Sequence, residues 1–190
     1  MAQDAQSSAP AFTQGRFTTA DGAAIAYRDY AGAPHGDQAG KAAVVCAHGL
    51  TRNARDFEDL APRIAQLGRR VIVPEARGRG LSDWDPDPAR YQPLTYTQDV
   101  LGLLDALSLA KVAWIGTSMG GLMGMVAAKL AAPRLVSMTL NDIGPEIDPQ
   151  GLKRIEGYVG GADPQADWAV IPRWPHRKTA PSSAISSAMA

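Results

Sequence analysis

The chain has 190 residues, 45% of them hydrophobic and 20% charged, which is the composition of a soluble globular protein large enough to bury one core. Nineteen basic residues balance nineteen acidic ones, so there is no electrostatic case for nucleic acid or for an anionic membrane surface, and a small-molecule partner is favoured. The single cysteine, Cys46, excludes an internal disulfide and a cysteine-based metal site, and in its apolar surroundings it reads as a small buried hydrophobe in a reduced compartment.

Residues Met1 to Pro10 have neither the basic nor the apolar region of a secretory signal, and no stretch is long and apolar enough to span a bilayer. Cytoplasmic location is the expectation. After a flexible start over 1–14, Arg16-Phe17-Thr18-Thr19 and Ala23 to Tyr30 flank the turn signal Asp21-Gly22, which predicts a hairpin. Residues 31–41 are rich in Gly, Ala and Pro, with a solvated His35 in their midst. The apolar run Ala42 to Ala47, cut off by His48-Gly49, suits a central parallel strand buried on both faces.

Phe57, Leu60, Ile64 and Leu67 recur at helical spacing and predict an amphipathic helix from Asp56 to Leu67, closed by Gly68. Arg69 to Pro74 gives a short buried strand. A turn-rich connection from Ala76 to Leu94 leads to the polar opening Thr95 to Asp99, read as the capped start of a helix carrying Val100, Leu101, Leu103, Leu104 and Leu107. Lys111 to Ile115 is the next strand, Gly120 to Leu130 the next helix and Arg134 to Leu140 a further strand. This alternation implies an α/β fold whose mostly parallel sheet has helices on both faces.

Gly116-Thr117-Ser118-Met119-Gly120 fits the pattern G-x-S-x-G, and it stands between an apolar strand and an apolar helix, where the pattern has mechanical meaning. A sharp strand-to-helix turn needs residues almost without side chains two before and two after the serine, which is then held at a strained, exposed apex. The helix behind it offers backbone N–H groups to a developing oxyanion, the N–H of Met119 among them. The competing explanation, that Ser118 only caps a helix, does not account for the strand and both glycines. Gly78-Arg79-Gly80 lacks the third glycine of a dinucleotide fingerprint, and no P-loop is present.

Three segments in order, His48-Gly49-Leu50, Arg77-Gly78-Arg79-Gly80-Leu81-Ser82-Asp83 and the serine turn, resemble the α/β-hydrolase superfamily from about Arg16 to Asn141. The resemblance implies the α/β-hydrolase fold, Ser118 as nucleophile, and the N–H groups of Leu50 and Met119 as the oxyanion hole. It implies a structural His48 steadying the oxyanion turn, and no metal or organic cofactor. The arginine-glycine segment is either a tight turn or a substrate contact. A serine at this turn argues against the aspartate-using relatives, such as epoxide hydrolases and haloalkane dehalogenases.

In that superfamily the acid and the histidine follow the serine, and here the pattern breaks. The core spans 15–145, residues 146–160 resemble the start of a cap, and 161–190 form an irregular or out-of-frame tail with no acidic residue after Asp167. The expectation is a fold lacking its last strands, truncated by nature or by a sequence error, with an apolar edge at Val136, Met138 and Leu140. The rival is a complete chain with Ser118, Asp142 and His176 as the triad in the correct order. The leading function is acyl-enzyme hydrolysis of an ester, lactone, thioester or amide by a lineage whose general base is missing from this chain, leaving it inactive. The alternative is a non-catalytic hydrolase-like remnant or binding module.

Overall fold

The computed structural model describes residues 12–33, 41–146, 150 and 153. Strands β1 (Phe12–Thr18) and β2 (Ala24–Tyr30) pair antiparallel around the Asp21-Gly22 turn, where Gly22 takes φ +91°, a conformation that favours glycine. β1 begins at Phe12, inside the segment expected to be a flexible start. Phe12 pairs with Tyr30, their rings lie 5.3 Å apart, and the Arg28 guanidinium sits 4.5 Å over the Phe12 ring, contacts that hold the strand's first residue down.

β3 (Ala43–Ala47) is buried along its whole length, as its uninterrupted apolar run requires of a strand covered on both faces. The helix expected from Asp56 to Leu67 is instead two pieces, a 3-10 turn over Ala54–Phe57 and α1 (Leu60–Gln66). Pro62 explains the break: it has no N–H for the carbonyl of Glu58, so it is accommodated in the first turn of a new helix. α1 buries Ala61, Pro62 and Ala65, and Leu67, expected on the apolar stripe, is 70% exposed.

β4 (Val71–Pro74) follows, again fully buried. α2 (Pro93–Ala106) starts two residues before the expected polar opening, with Pro93 in its first turn and no side-chain cap. The hydroxyl of Thr97 donates within the helix to the Pro93 carbonyl at 2.7 Å, so the polar residues that looked like a cap lie inside it. β5 (Val112–Thr117), α3 (Met119–Ala131) and β6 (Leu135–Asn141) complete the described elements, each within two residues of expectation.

The sheet order is β1-β2-β4-β3-β5-β6, with β3, β4, β5 and β6 parallel. Alternation along β3 builds two cores. Val45 packs with Val100, Leu104, Trp114 and Met123 beneath α2 and α3, while Val44 and Cys46 pack with Phe57, Ala61 and Ala65 beneath α1. Burial pushes the Cys46 thiol up to about 12, which makes it an unreactive packing residue. Among the described residues the sheet ends on β6, whose Val136 and Met138 are 51% and 38% exposed. No helix among them is long and apolar enough to cross a membrane.

Candidate active site

Ser118 sits in the single step between β5 and α3, at φ +50° and ψ −114°, a strained conformation for a residue with a side chain. The strain is held by backbone hydrogen bonds on both sides. The Ser118 N–H donates to the Asn141 carbonyl at 2.9 Å, and the Ser118 carbonyl accepts from the N–H groups of Gly121 at 2.8 Å and Leu122 at 3.1 Å. A methyl group at Gly116 would collide with the Gly120 carbonyl, and one at Gly120 with the Ala47 carbonyl. Both glycines of the motif are thus demanded by backbone packed against backbone. The hydroxyl of Ser118 is half-buried and has no hydrogen-bond partner among the described residues.

Two peptide planes next to this hydroxyl are fixed by their carbonyls. In a trans peptide the C=O and N–H point in opposite directions, so anchoring one aims the other. The Gly49 carbonyl is held by the His48 Nδ1 at 2.7 Å and by the Arg52 N–H at 3.2 Å, which turns the N–H of Leu50 away from them. The Ser118 carbonyl, held inside α3, does the same for the N–H of Met119. Neither N–H has a partner among the described residues, although Met119 is only 4% exposed. Gly49 brings the two turns together, because a methyl group there would lie 3.8 Å from Ser118 Cβ.

His48 is the pin of this arrangement. Its Nε2 accepts from the Ala76 N–H at 3.1 Å, so the proton is on Nδ1, which donates to Gly49. Burial disfavours the imidazolium and lowers the pKa to about 4, against the opposing hydrogen bond to Gly49. With both nitrogens engaged, this imidazole has none free for the serine. Arg79 steadies the other side, donating from Nε to the Leu50 carbonyl at 2.9 Å and from Nη1 to the Arg77 carbonyl at 2.8 Å.

The arginine-glycine segment is therefore a structural turn. Arg77, 2% exposed, meets Asp99 at 2.7 Å, Asp85 at 2.5 Å and Asp21 at 2.8 Å. The hydrogen bonds to Asp99, then those to Asp21 and Asp85, raise its already high pKa, and Arg77 in turn holds the Asp21 carboxyl below the usual carboxylate range. Glu75, unmarked in the sequence reading, accepts from the N–H groups of Ala54 at 3.2 Å and Leu81 at 2.6 Å, tying the segment that follows the His48-Gly49-Leu50 turn to this one. A cleft of 480 Å³ between the hairpin and α2, lined by Phe17, Asp21, Arg77 and Asp99, belongs to this ion-pair network and does not include Ser118.

Asp142 follows β6, whose Asn141 is the register partner of Thr117, so it stands one strand over from Ser118 at the same end of the sheet. It is exposed and has φ +57°. His176, like His35, Asp167 and nearly all of 147–190, lies outside the described residues.

A six-stranded sheet of this order, carrying a strained serine between its fifth strand and the following helix, agrees with the sequence comparison. Residues 42–166 match the family described as alpha/beta hydrolase fold. The chain belongs to that family. This alpha/beta hydrolase chain is 42% identical over 125 residues, 66% of its length, to a 3-hydroxybutyrate-oligomer hydrolase of Cupriavidus necator, and covers 42% of that protein. It is 39% identical over 105 residues, 54% of its length, to the sn-1-specific diacylglycerol lipase ABHD11 of Mus musculus, covering 33% of it. Among solved structures it is similar to an alpha/beta hydrolase from Novosphingobium aromaticivorans, with TM-score 0.72, 46% identity, and coverage of 78% of this chain and 50% of that one. The chain spans half or less of the length of these relatives.

Proposed function

We propose that this alpha/beta hydrolase chain carries the nucleophile and oxyanion hole of a serine hydrolase that acts on an ester through an acyl-enzyme. The carrying observation is a strained Ser118 beside the Gly49-Leu50 turn, its hydroxyl and the carbonyl-anchored N–H groups of Leu50 and Met119 all without partners among the described residues. In this reading Ser118 Oγ bonds to the substrate's carbonyl carbon and the carbonyl oxygen takes up the electron pair. That oxyanion is stabilised by the N–H groups of Leu50 and Met119. The Ser118 proton passes to water, collapse breaks the C–O bond and expels the alkoxide, which takes a proton from water to leave as the alcohol, and a further water adds to the acyl carbon, releasing the acid and returning a proton to Ser118.

The hydroxyl proton needs an acceptor, and His48, the one histidine among the described residues, is fully engaged. The proposal is therefore slow turnover by this chain alone, since loss of a triad member typically lowers the rate by a factor on the order of a thousand or more. Asp142 is proposed as the acid that would orient a histidine, on its register position beside Ser118. The 42% identity to a 3-hydroxybutyrate-oligomer hydrolase supports an ester of a small hydroxy acid as the substrate class.

The test is p-nitrophenyl acetate with the wild-type chain, Ser118→Ala and His176→Ala. The expected result is a stoichiometric acetyl adduct and slow release, both lost in Ser118→Ala and unchanged in His176→Ala. Rapid turnover abolished by His176→Ala would instead give this chain a working base. A folded chain that forms no adduct would favour a non-catalytic binding module.

A further inference from the structure

Arg52 lies on the turn that approaches Ser118, with two of the three nitrogens of its guanidinium uncommitted among the described residues. Its backbone N–H closes the turn on the Gly49 carbonyl at 3.2 Å, so its position is set by the same turn that aims the Leu50 N–H. The side chain runs beside the nucleophile: a methyl group at Gly49 would lie 3.5 Å from Arg52 Cγ and 3.8 Å from Ser118 Cβ.

Its Nε donates to Asp56 Oδ1 at 2.8 Å, which fixes the plane of the guanidinium. The two Nη groups make no hydrogen bond among the described residues, and the side chain is 65% exposed. The other cation of this region, Arg79, is 9% exposed and spent on the carbonyls of Leu50 and Arg77. Arg52 thus presents a pre-oriented end-on fork of donors, the geometry that matches a carboxylate.

We propose that Arg52 is a specificity-determining residue that binds a free carboxylate on the substrate, selecting acid-terminated esters over neutral ones. The inference rests on the reading of Ser118 as nucleophile, since it places the carboxylate next to the scissile ester. Asp56 keeps the fork in place and offsets part of its charge, so recognition is directional and salt-sensitive.

The probe is the ester-linked dimer of 3-hydroxybutyrate, which carries one terminal carboxylate, compared with its methyl ester. Binding is measured by ligand-observed NMR on the full chain carrying Ser118→Ala, which prevents turnover, with and without Arg52→Gln and Arg52→Lys. Arg52 is exposed, so neither change threatens folding. The expected result is that the acid binds more tightly than its methyl ester, and that Arg52→Gln weakens the acid about threefold to fivefold while leaving the methyl ester unchanged. Arg52→Lys, which keeps the charge and loses the fork, should fall between. Equal behaviour of acid and methyl ester, or an Arg52→Gln change that leaves both alike or weakens both alike, overturns the proposal. Fluorophosphonate labelling of the chain with Ser118 intact, with and without Arg52→Gln, reports separately on the nucleophile, so failure of one reading is distinguishable from failure of the other.

Discussion

The centre of the sheet and its β6 edge are built from similar residue types but have opposite fates. β3 is buried at every residue, and β5 buries Val112, Trp114 and Gly116 beneath α3. In β6 five of seven residues are exposed, Val136 and Met138 among them. The serine turn rests on the first region and the candidate acid Asp142 on the second. Packing from both faces makes the position of Ser118 a property of the whole core. The position of Asp142 depends on a strand that, among the described residues, is paired on one side only.

The contrast is sharpest at the glycines of the turn. Gly120→Ala and Gly116→Ala should each destabilise the fold by about 3 kcal/mol or more, because the added methyl meets backbone and not a movable side chain. Urea midpoints should fall steeply or the protein should not fold. Trp114→Ala, which removes a ring 1% exposed whose Nε1 donates to the Gly120 carbonyl at 2.9 Å, should cost about 3–5 kcal/mol by the same measurement. Arg77→Met should lie in the same range, about 3–5 kcal/mol, since it strands Asp85 and Asp99 in the interior. A midpoint within experimental error of wild type for any of these would contradict the buried-centre account.

A smaller, pH-dependent effect belongs to His48. Its folded pKa of about 4 lies below the unfolded value near 6.5, so the unfolded chain binds the extra proton first. Its contribution to stability is fully present above pH 6.5 and is lost as pH falls towards 4. Between pH 7.5 and 4.5 it should account for about 2–3 kcal/mol of lost stability, seen as the difference in urea titrations between wild type and His48→Gln. At the edge the expected effects on stability are smallest. Val136→Lys and Met138→Lys should change it by no more than about 0.5 kcal/mol each in the same urea titrations, because both side chains are exposed.

Much of this was legible in the residues. The apolar runs at Ala42 to Ala47 and Lys111 to Ile115, and the paired glycines about Ser118, fix strands and turn by local chemistry. Pro62 was also visible, but the helical spacing of Phe57, Leu60, Ile64 and Leu67 masked the break it enforces. The partners of Glu75, the N–H groups of Ala54 and Leu81, are remote from it, and of the two readings of the arginine-glycine segment the turn is favoured by a contact equally remote, from Arg79 to the Leu50 carbonyl. A carboxylate following the buried strand Val71–Pro74 was the available signal for Glu75. The resemblance makes His48 a structural residue, but its hydrogen bonds to Gly49 and Ala76, which fix the tautomer, join segments remote in sequence and leave no local signal.

The most direct test of the central claim is peptide mass mapping after treatment of the intact chain with a fluorophosphonate. The account predicts one adduct, on the peptide bearing Ser118, formed at a rate that Ser118→Ala abolishes. A folded chain labelled at another serine, or not labelled at all, would contradict it.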